Sequence, residues 1–208
     1  MFSPRDQDAV LTELGSKFPA ALITATNSAR NDLDALREWR PGWVLAMFQR
    51  EVAGFIHSRI WDHLTTELDS VDGITFRTAE PHREATVSTP LGRSFKIRVK
   101  RHSEGDQISS YPTISDLEFW GGASISFEGL EQISLAAGYR WDSTLGQIGA
   151  PVLSYREGKE NVIWAVEVDA GEADGLTPIT YTPILPDLPR IDLADALADE
   201  SRTGGRSS

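Results

Sequence analysis

The sequence contains no cysteine, so disulfide bonds, thiolate metal sites and cysteine nucleophiles are all excluded. It also has no long apolar run. The longest one, from Trp43 to Phe48, has six residues, whereas a membrane-spanning helix needs roughly 20. Met1 is not followed by the cationic segment and apolar core that are typical of a signal peptide. These absences predict a cytoplasmic protein without a membrane partner, whose fold is held together by packing.

The length of 208 residues is sufficient for one substantial hydrophobic core. After Asp169 the chain is rich in glycine, proline, threonine and acidic residues, a composition that prevents long regular elements. We therefore expect a single domain over residues 1–169 and a Pro-rich, acidic and flexible tail over residues 170–208. Within the tail, one short amphipathic helix could begin at Asp192.

The formal net charge of −11 is unevenly distributed along the chain. Between Gly73 and His102, seven basic residues against two acidic ones leave a net charge of +5. Between Glu167 and Glu200, nine acidic residues against one arginine leave −8. Because local charge governs contacts with nucleic acids and acidic surfaces, the basic segment is a candidate binding region despite the negative total.

The N-terminal third has the hydrophobic periodicity of helices. Apolar residues at three- and four-residue intervals predict a short helix over residues 6–17. Ser28 or Asn31 could cap a second short helix that ends at Trp39. Pro41 then predicts the start of one long helix to Val71, because proline suits a first helical turn. The apolar stripe of this helix contains Val44, Phe48, Val52, Phe55, Ile56, Ile60, Leu64 and Leu68.

Beyond Gly73 the apolar period changes from 3.6 residues to two. Alternating residues predict three strands, around 74–77, 84–88 and 95–100, and a short helix is expected after Thr113. A second set of strands is expected at 133–141, 147–155 and 161–168, joined by short turns. Turns of this length do not allow parallel crossovers. The sequence therefore predicts an α+β fold in which N-terminal helices, including one long helix, pack on an antiparallel meander sheet.

The third strand carries the most informative pattern, because three cations alternate with three apolar residues. Lys96, Arg98 and Lys100 would stand in a row about 7 Å apart on one face. A phosphodiester backbone or an acidic protein would relieve their mutual repulsion. A solvated sheet face, or pairing with the acidic tail, is the alternative explanation. The residues predicted to contact nucleic acid are Arg77, Arg93, Lys96, Arg98, Lys100, Arg101, His102 and Tyr111.

Three segments carry a resemblance to a known family: Arg98-Val99-Lys100-Arg101-His102, residues 109–113 and residues 135–142. Over residues 43–168 the chain resembles an uncharacterised family from high-GC bacteria and their phages. Genes of that family neighbour regulators that join a helix-turn-helix to a metallopeptidase-like domain, an arrangement typical of toxin-antitoxin or immunity loci. The resemblance implies a toxin-like role and an antitoxin or regulator as partner, and it implies no catalytic residues.

Several enzyme classes lack their required residues here. A restriction-type nuclease needs a carboxylate two residues before a strand lysine, but Ser94 precedes Lys96. The motifs of serine hydrolases, P-loop proteins, dinucleotide-binding folds and zinc proteases are absent. Glu80, His82 and Glu84 alternate as metal ligands could, although Pro81 favours a solvated bend. We predict no metal or cofactor, and whether the chain is an enzyme stays open.

Two functions remain as hypotheses. The first is a toxin-like effector or phage-defence component, neutralised by a partner regulator, that contacts RNA or DNA through the basic strand face. The second is a non-enzymatic protein-interaction module whose basic face binds an acidic partner or its own tail.

Overall fold

The computed structural model describes residues 2–79, 82–108, 113–121, 124–127, 130–170 and 179–183. The helices in these residues are α1 Gln7–Leu14, α2 Lys17–Trp39, α3 Pro41–Ala46, α4 Gln49–Leu68 and α5 Ile114–Gly121. The strands are β1 Ile74–Ala79, β2 His82–Ser88, β3 Arg93–His102, β4 Ser124–Phe127, β5 Leu130–Asp142, β6 Gln147–Arg156, β7 Val162–Ala170 and β8 Ile179–Pro183. The predicted α+β class is confirmed. Among the described helices, none has the length and apolar character needed to cross a bilayer.

The first helix forms where it was predicted, and Asp6 caps it by accepting a 3.2 Å hydrogen bond from the backbone N–H of Ala9. The prediction of a second short helix from Ser28 or Asn31 is wrong, because α2 begins at Lys17 and has 23 residues. One continuous buried stripe explains its length. The stripe consists of Phe18, Ala21, Leu22, Ala25, Ala29 and Leu33.

The predicted single helix from Pro41 to Val71 is two helices. The chain is extended at Met47 and Phe48, with ψ angles of 134° and 156°, and this separates α3 from α4. The C-terminal part of the predicted stripe enters the core, where Ile56, Ile60, Leu64 and Leu68 are buried. Val44 and Phe48, which were predicted in the same stripe, stay outside it.

The described strands form one sheet in the order β1-β2-β3-β5-β6-β7-β8, with β4 paired to β5. Its pairings are antiparallel except for that between β3 and β5, which is parallel, with Phe95 opposite Ile133. The expectation of an antiparallel sheet is therefore correct within each meander and wrong where the two meanders join. Residues 103–129 separate β3 from β5, and this length accommodates a parallel crossover that includes α5.

The two faces of the sheet differ in what covers them. One face packs against α2 and α4 and forms the main hydrophobic core, which includes Phe95, Ile97 and Leu135. On the opposite face, Phe119 and Trp120 of α5 pack with Ile108 and Ala136 in a second, smaller cluster. Lys96, Arg98 and Lys100 of β3 lie on this second face, so α5 decides what they can contact.

Part of the predicted tail belongs to the sheet. Residues 179–183 form β8, which pairs antiparallel with β7 and places Pro183 opposite Val166. Strand β8 runs away from the β5–β6 turn at residues 143–146, because its first residue, Ile179, lies opposite Ala170. The rest of the predicted tail, residues 171–178 and 184–208, lies outside the described residues.

Candidate functional site

The predicted row of cations exists as a shared face of β3 but is not open to solvent at its centre. The guanidinium of Arg98 donates to Asp116 Oδ1 at 2.8 Å and to Glu84 Oε2 at 3.3 Å. It also lies over the ring of Phe119, 4.0 Å from the ring centre. The side chain of Arg98 is only 8% exposed, so α5 and β2 enclose it.

Each of the two lysines in the row lies near one of the two carboxylates that bind Arg98. Lys96 Nζ lies 3.8 Å from Glu84 Oε1, and Lys100 Nζ lies 3.9 Å from Asp116 Oδ1. Burial lowers the pKa of Lys100, an effect that Asp116 partly opposes and Arg98 reinforces. Three cations thus meet two carboxylates on this face, of which Asp116 is buried and Glu84 is half-buried. The sequence spacing alone did not reveal this arrangement.

His102 belongs to a buried polar network at the end of the same face. Its Nε2 lies 3.1 Å from the hydroxyl of Ser154, which also accepts from Arg156 Nε at 3.3 Å. Arg156 additionally donates to the backbone carbonyl of Asp106. Burial, reinforced by Arg156, lowers the pKa of His102 to about 3. His102 is therefore neutral and enclosed at physiological pH, and it cannot offer a charge to a phosphate.

The remaining predicted residues are dispersed. Arg93 is bound by Glu13 and Glu131, each at 2.7 Å, and lies over the ring of Phe2. Arg77 is exposed on β1, at the edge of the sheet.

Arg101 lies on the opposite face of β3 from Arg98, half-buried near the ring of Trp141. Tyr111 lies outside the described residues. The structure thus brings the residues of the central row together as an internal ion-pair network and places the others elsewhere.

No metal centre is formed by the described residues, since they contain no group of three potential His, Asp or Glu ligands. Glu84 of the alternating segment binds Arg98, while Glu80 lies outside the described residues. His63 Nε2 lies 2.8 Å from Asp32 Oδ2, which also accepts a hydrogen bond from Arg59 Nε. His57 is separate from this pair and lies nearer β3.

Exposed apolar side chains are concentrated at the end of α2, in α3 and at the residue before α4. We call this region the aromatic surface. Its four main members, with their exposed fractions, are Trp39 (64%), Trp43 (57%), Leu45 (87%) and Phe48 (69%). No residue of α3 is buried. Isolated exposed apolar residues are ordinary, whereas a contiguous group typically marks an interaction site.

The aromatic surface is structurally organised. The rings of Trp39 and Trp43 meet edge to face, with centroids 5.7 Å apart. The guanidinium of Arg40 lies over both rings, at 4.7 Å and 5.3 Å from their centres. Cation–π and edge-to-face contacts of this kind hold the rings in place without burying them.

Local backbone chemistry explains why Phe48 is exposed. Glu51 Oε2 accepts a 2.8 Å hydrogen bond from the backbone N–H of Phe48, which fixes Phe48 as the residue that precedes α4. Phe48 therefore sits at a bend and not on the buried stripe of α4. The signal was present in the sequence, because six consecutive apolar residues from Trp43 cannot all face the core from one helix.

Comparisons of the chain with family models, curated proteins and solved structures found no match. The assignment of function consequently rests on the chain's own surfaces.

Proposed function

We propose that this protein is a non-enzymatic interaction module that binds a partner protein through the aromatic surface. The observation that carries the proposal is the exposure of two tryptophans, a leucine and a phenylalanine within ten residues of chain. Tryptophan and arginine are enriched among residues that dominate the affinity of protein interfaces. Trp39, Trp43 and Arg40 supply both types in one organised cluster.

The charge at the rim of the aromatic surface favours an acidic partner. Arg40 and Arg50 form no ion pair with a carboxylate among the described residues. Glu51 is occupied by the hydrogen bond to the backbone of Phe48. The exposed Glu38 is the opposing charge on this rim. We therefore assign as partner an apolar protein segment flanked by acidic residues.

Strand β8, the last described element, runs away from the end of the sheet beside the aromatic surface. The aromatic surface adjoins the β5–β6 turn, since Arg37 of α2 donates to the carbonyl of Gly146 at 2.5 Å. Strand β8 runs away from that turn before the chain passes Pro183.

Photocrosslinking tests the proposal. A photoreactive phenylalanine analogue replaces Trp43 in the full chain. The control replaces Leu91, which is more exposed (73% against 57%) and lies in the β2–β3 turn, at the opposite end of the sheet from the β5–β6 turn. We expect a specific crosslinked protein from native cells at position 43 and not at position 91. Equal crosslinking at both positions would contradict the proposal.

The crosslinked protein is then purified and its affinity measured by calorimetry. Trp43→Ala should weaken binding by about 2 kcal/mol, roughly 30-fold, because it truncates a central aromatic anchor. Leu91→Ala should stay within about twofold of wild type. Loss of the crosslink on truncation after Pro183 would identify the tail as the occupant, and sedimentation as a dimer would identify a second copy.

The toxin-like or phage-defence role stays a prediction, as does contact with RNA or DNA through β3. A regulator that neutralises such an effector would be a protein partner of the kind proposed here. Growth arrest on induction of the chain alone, relieved by co-expression of the crosslinked protein, would support that role.

A further inference from the structure

A cavity of about 460 Å³ lies between the first turns of α4 and the end of β3. This volume is within the range typical of small-molecule sites. Arg50, at the rim of the aromatic surface, is the one lining residue that the proposed protein-binding role also uses. Its lining residues are Gln49, Arg50, Ala53, Gly54, His57, Val99, Lys100, Arg101 and Tyr139.

The cavity has a positive lining without a compensating acid. No carboxylate is among its lining residues. Arg50 and Arg101 form no ion pair with a carboxylate in the part of the chain that the structure describes. The ammonium of Lys100 belongs to the other face, where Asp116 lies 3.9 Å away. Two guanidinium groups are thus left to attract an anion into the cavity.

Tyr139 adds an unsatisfied donor. This residue lines the cavity but is only 1% exposed, and its hydroxyl has no hydrogen-bond partner among the described residues. Leaving a buried hydroxyl unpaired is destabilising, so such groups generally mark a missing partner. Burial raises the pKa of Tyr139, which keeps the hydroxyl protonated and able to donate.

Two features of α4 complete the lining. Gln49 and Arg50 belong to its first turn, where the helix dipole favours an anion. At this helix start, Glu51 Oε2 accepts from the backbone N–H of Phe48, and the N–H groups of Glu51 and Val52 donate to the carbonyl of Phe48. His57 lies about two turns beyond Arg50, and its pKa is lowered to about 4 by burial and by the charges of Arg83 and Lys100. A neutral imidazole still has one N–H group, which can donate a hydrogen bond to an anion.

We propose that this cavity binds the phosphate group of a small organic phosphate, with Arg50 and Arg101 as the charged contacts and Tyr139 as a hydroxyl donor. Arginine and a helix start together form a common phosphate-binding arrangement. The volume leaves room for an organic group beside the phosphate.

The first test is calorimetric titration of the full chain with inorganic phosphate and with AMP at low salt. We expect saturable binding of AMP that Arg101→Gln weakens tenfold or more, since it removes a charge-assisted contact. Arg77→Gln makes the same change at an exposed site on β1 and should leave the affinity within twofold. Absence of saturable binding of either probe at millimolar concentrations would overturn the proposal.

A filling variant tests the cavity without altering its charge. A Cβ built on Gly54 meets no atom within 4 Å, so Gly54→Leu can extend into that space, and leucine is the better helix former. We expect Gly54→Leu to melt at or above the wild-type temperature and to bind AMP at least tenfold more weakly. Undiminished binding in a folded Gly54→Leu protein would place the phosphate elsewhere and refute the proposed site.

RNA oligonucleotides with a 5′-phosphate or a 5′-hydroxyl test whether the bound phosphate belongs to the end of a nucleic acid or to a free metabolite. A preference for the phosphorylated form that Arg101→Gln abolishes assigns the group to a nucleic-acid end. Binding of AMP without that preference assigns it to a free metabolite. Crosslinking at position 43 should survive Arg101→Gln, so failure of this site and failure of the aromatic surface are separately visible.

Discussion

Replacing Arg98 by methionine distinguishes an internal ion-pair network from an exposed row of cations. Methionine keeps much of the length and apolar contact of the arginine stem but removes the guanidinium that binds Glu84 and Asp116. An exposed row would lose only a repulsive charge, so its stability would be unchanged or higher. A buried network would lose the group that both carboxylates share.

The burial of three side chains determines how much stability the Arg98→Met variant should lose. Arg98, Glu84 and Asp116 are 8%, 12% and 8% exposed. Removing one partner of a buried pair costs about 3–5 kcal/mol. The lysines 3.8 Å from Glu84 and 3.9 Å from Asp116 remain as partial partners, so we expect the lower limit of about 3 kcal/mol. A domain of this size should then melt about 6–12 °C lower.

Thermal and urea denaturation at pH 7 measure the effect. Arg77→Met is the matched control, because Arg77 is exposed on β1 and its replacement should change stability by no more than about 0.5 kcal/mol. If Arg98→Met melts within the error of Arg77→Met, α5 does not enclose Arg98 and the reasoning is refuted.

Two further predictions concern the same region of the sheet. A Cβ on Gly138 would overlap the carbonyl oxygen of Lys100 in the parallel β3–β5 pairing, so Gly138→Ala should destabilise the fold by about 1–3 kcal/mol, measured by urea denaturation. His102 has a pKa of about 3 in the folded state and about 6.5 when unfolded. Below pH 6.5 the unfolded state therefore binds the extra proton, and stability should fall as the pH falls towards 3. His102→Gln should flatten this dependence between pH 7 and 5, and an unchanged slope would show that His102 is not its source.

The sequence predicted the elements whose signals are local. Asp6 caps α1, the alternation on β3 places Lys96, Arg98 and Lys100 on the face opposite its apolar residues, and the second meander lies where its turns indicated. The prediction from sequence failed where the hydrophobic repeat continues across the bend between α3 and α4. The stripe from Val44 to Leu68 keeps helical spacing, but the bend at Phe48 separates its first members from the core.

The sequence by itself determined the α+β class, the absence of cysteine chemistry and the shared face of the cations on β3. Only the tertiary structure decided whether that face is open. The helices α2 and α4 occupy one side of the sheet, and α5 lies on the other, over Arg98. Asp116 is 18 residues from Arg98 in the chain and Glu84 is 14 residues away. Contacts between such distant residues depend on the topology of the sheet, which hydrophobic periodicity does not encode.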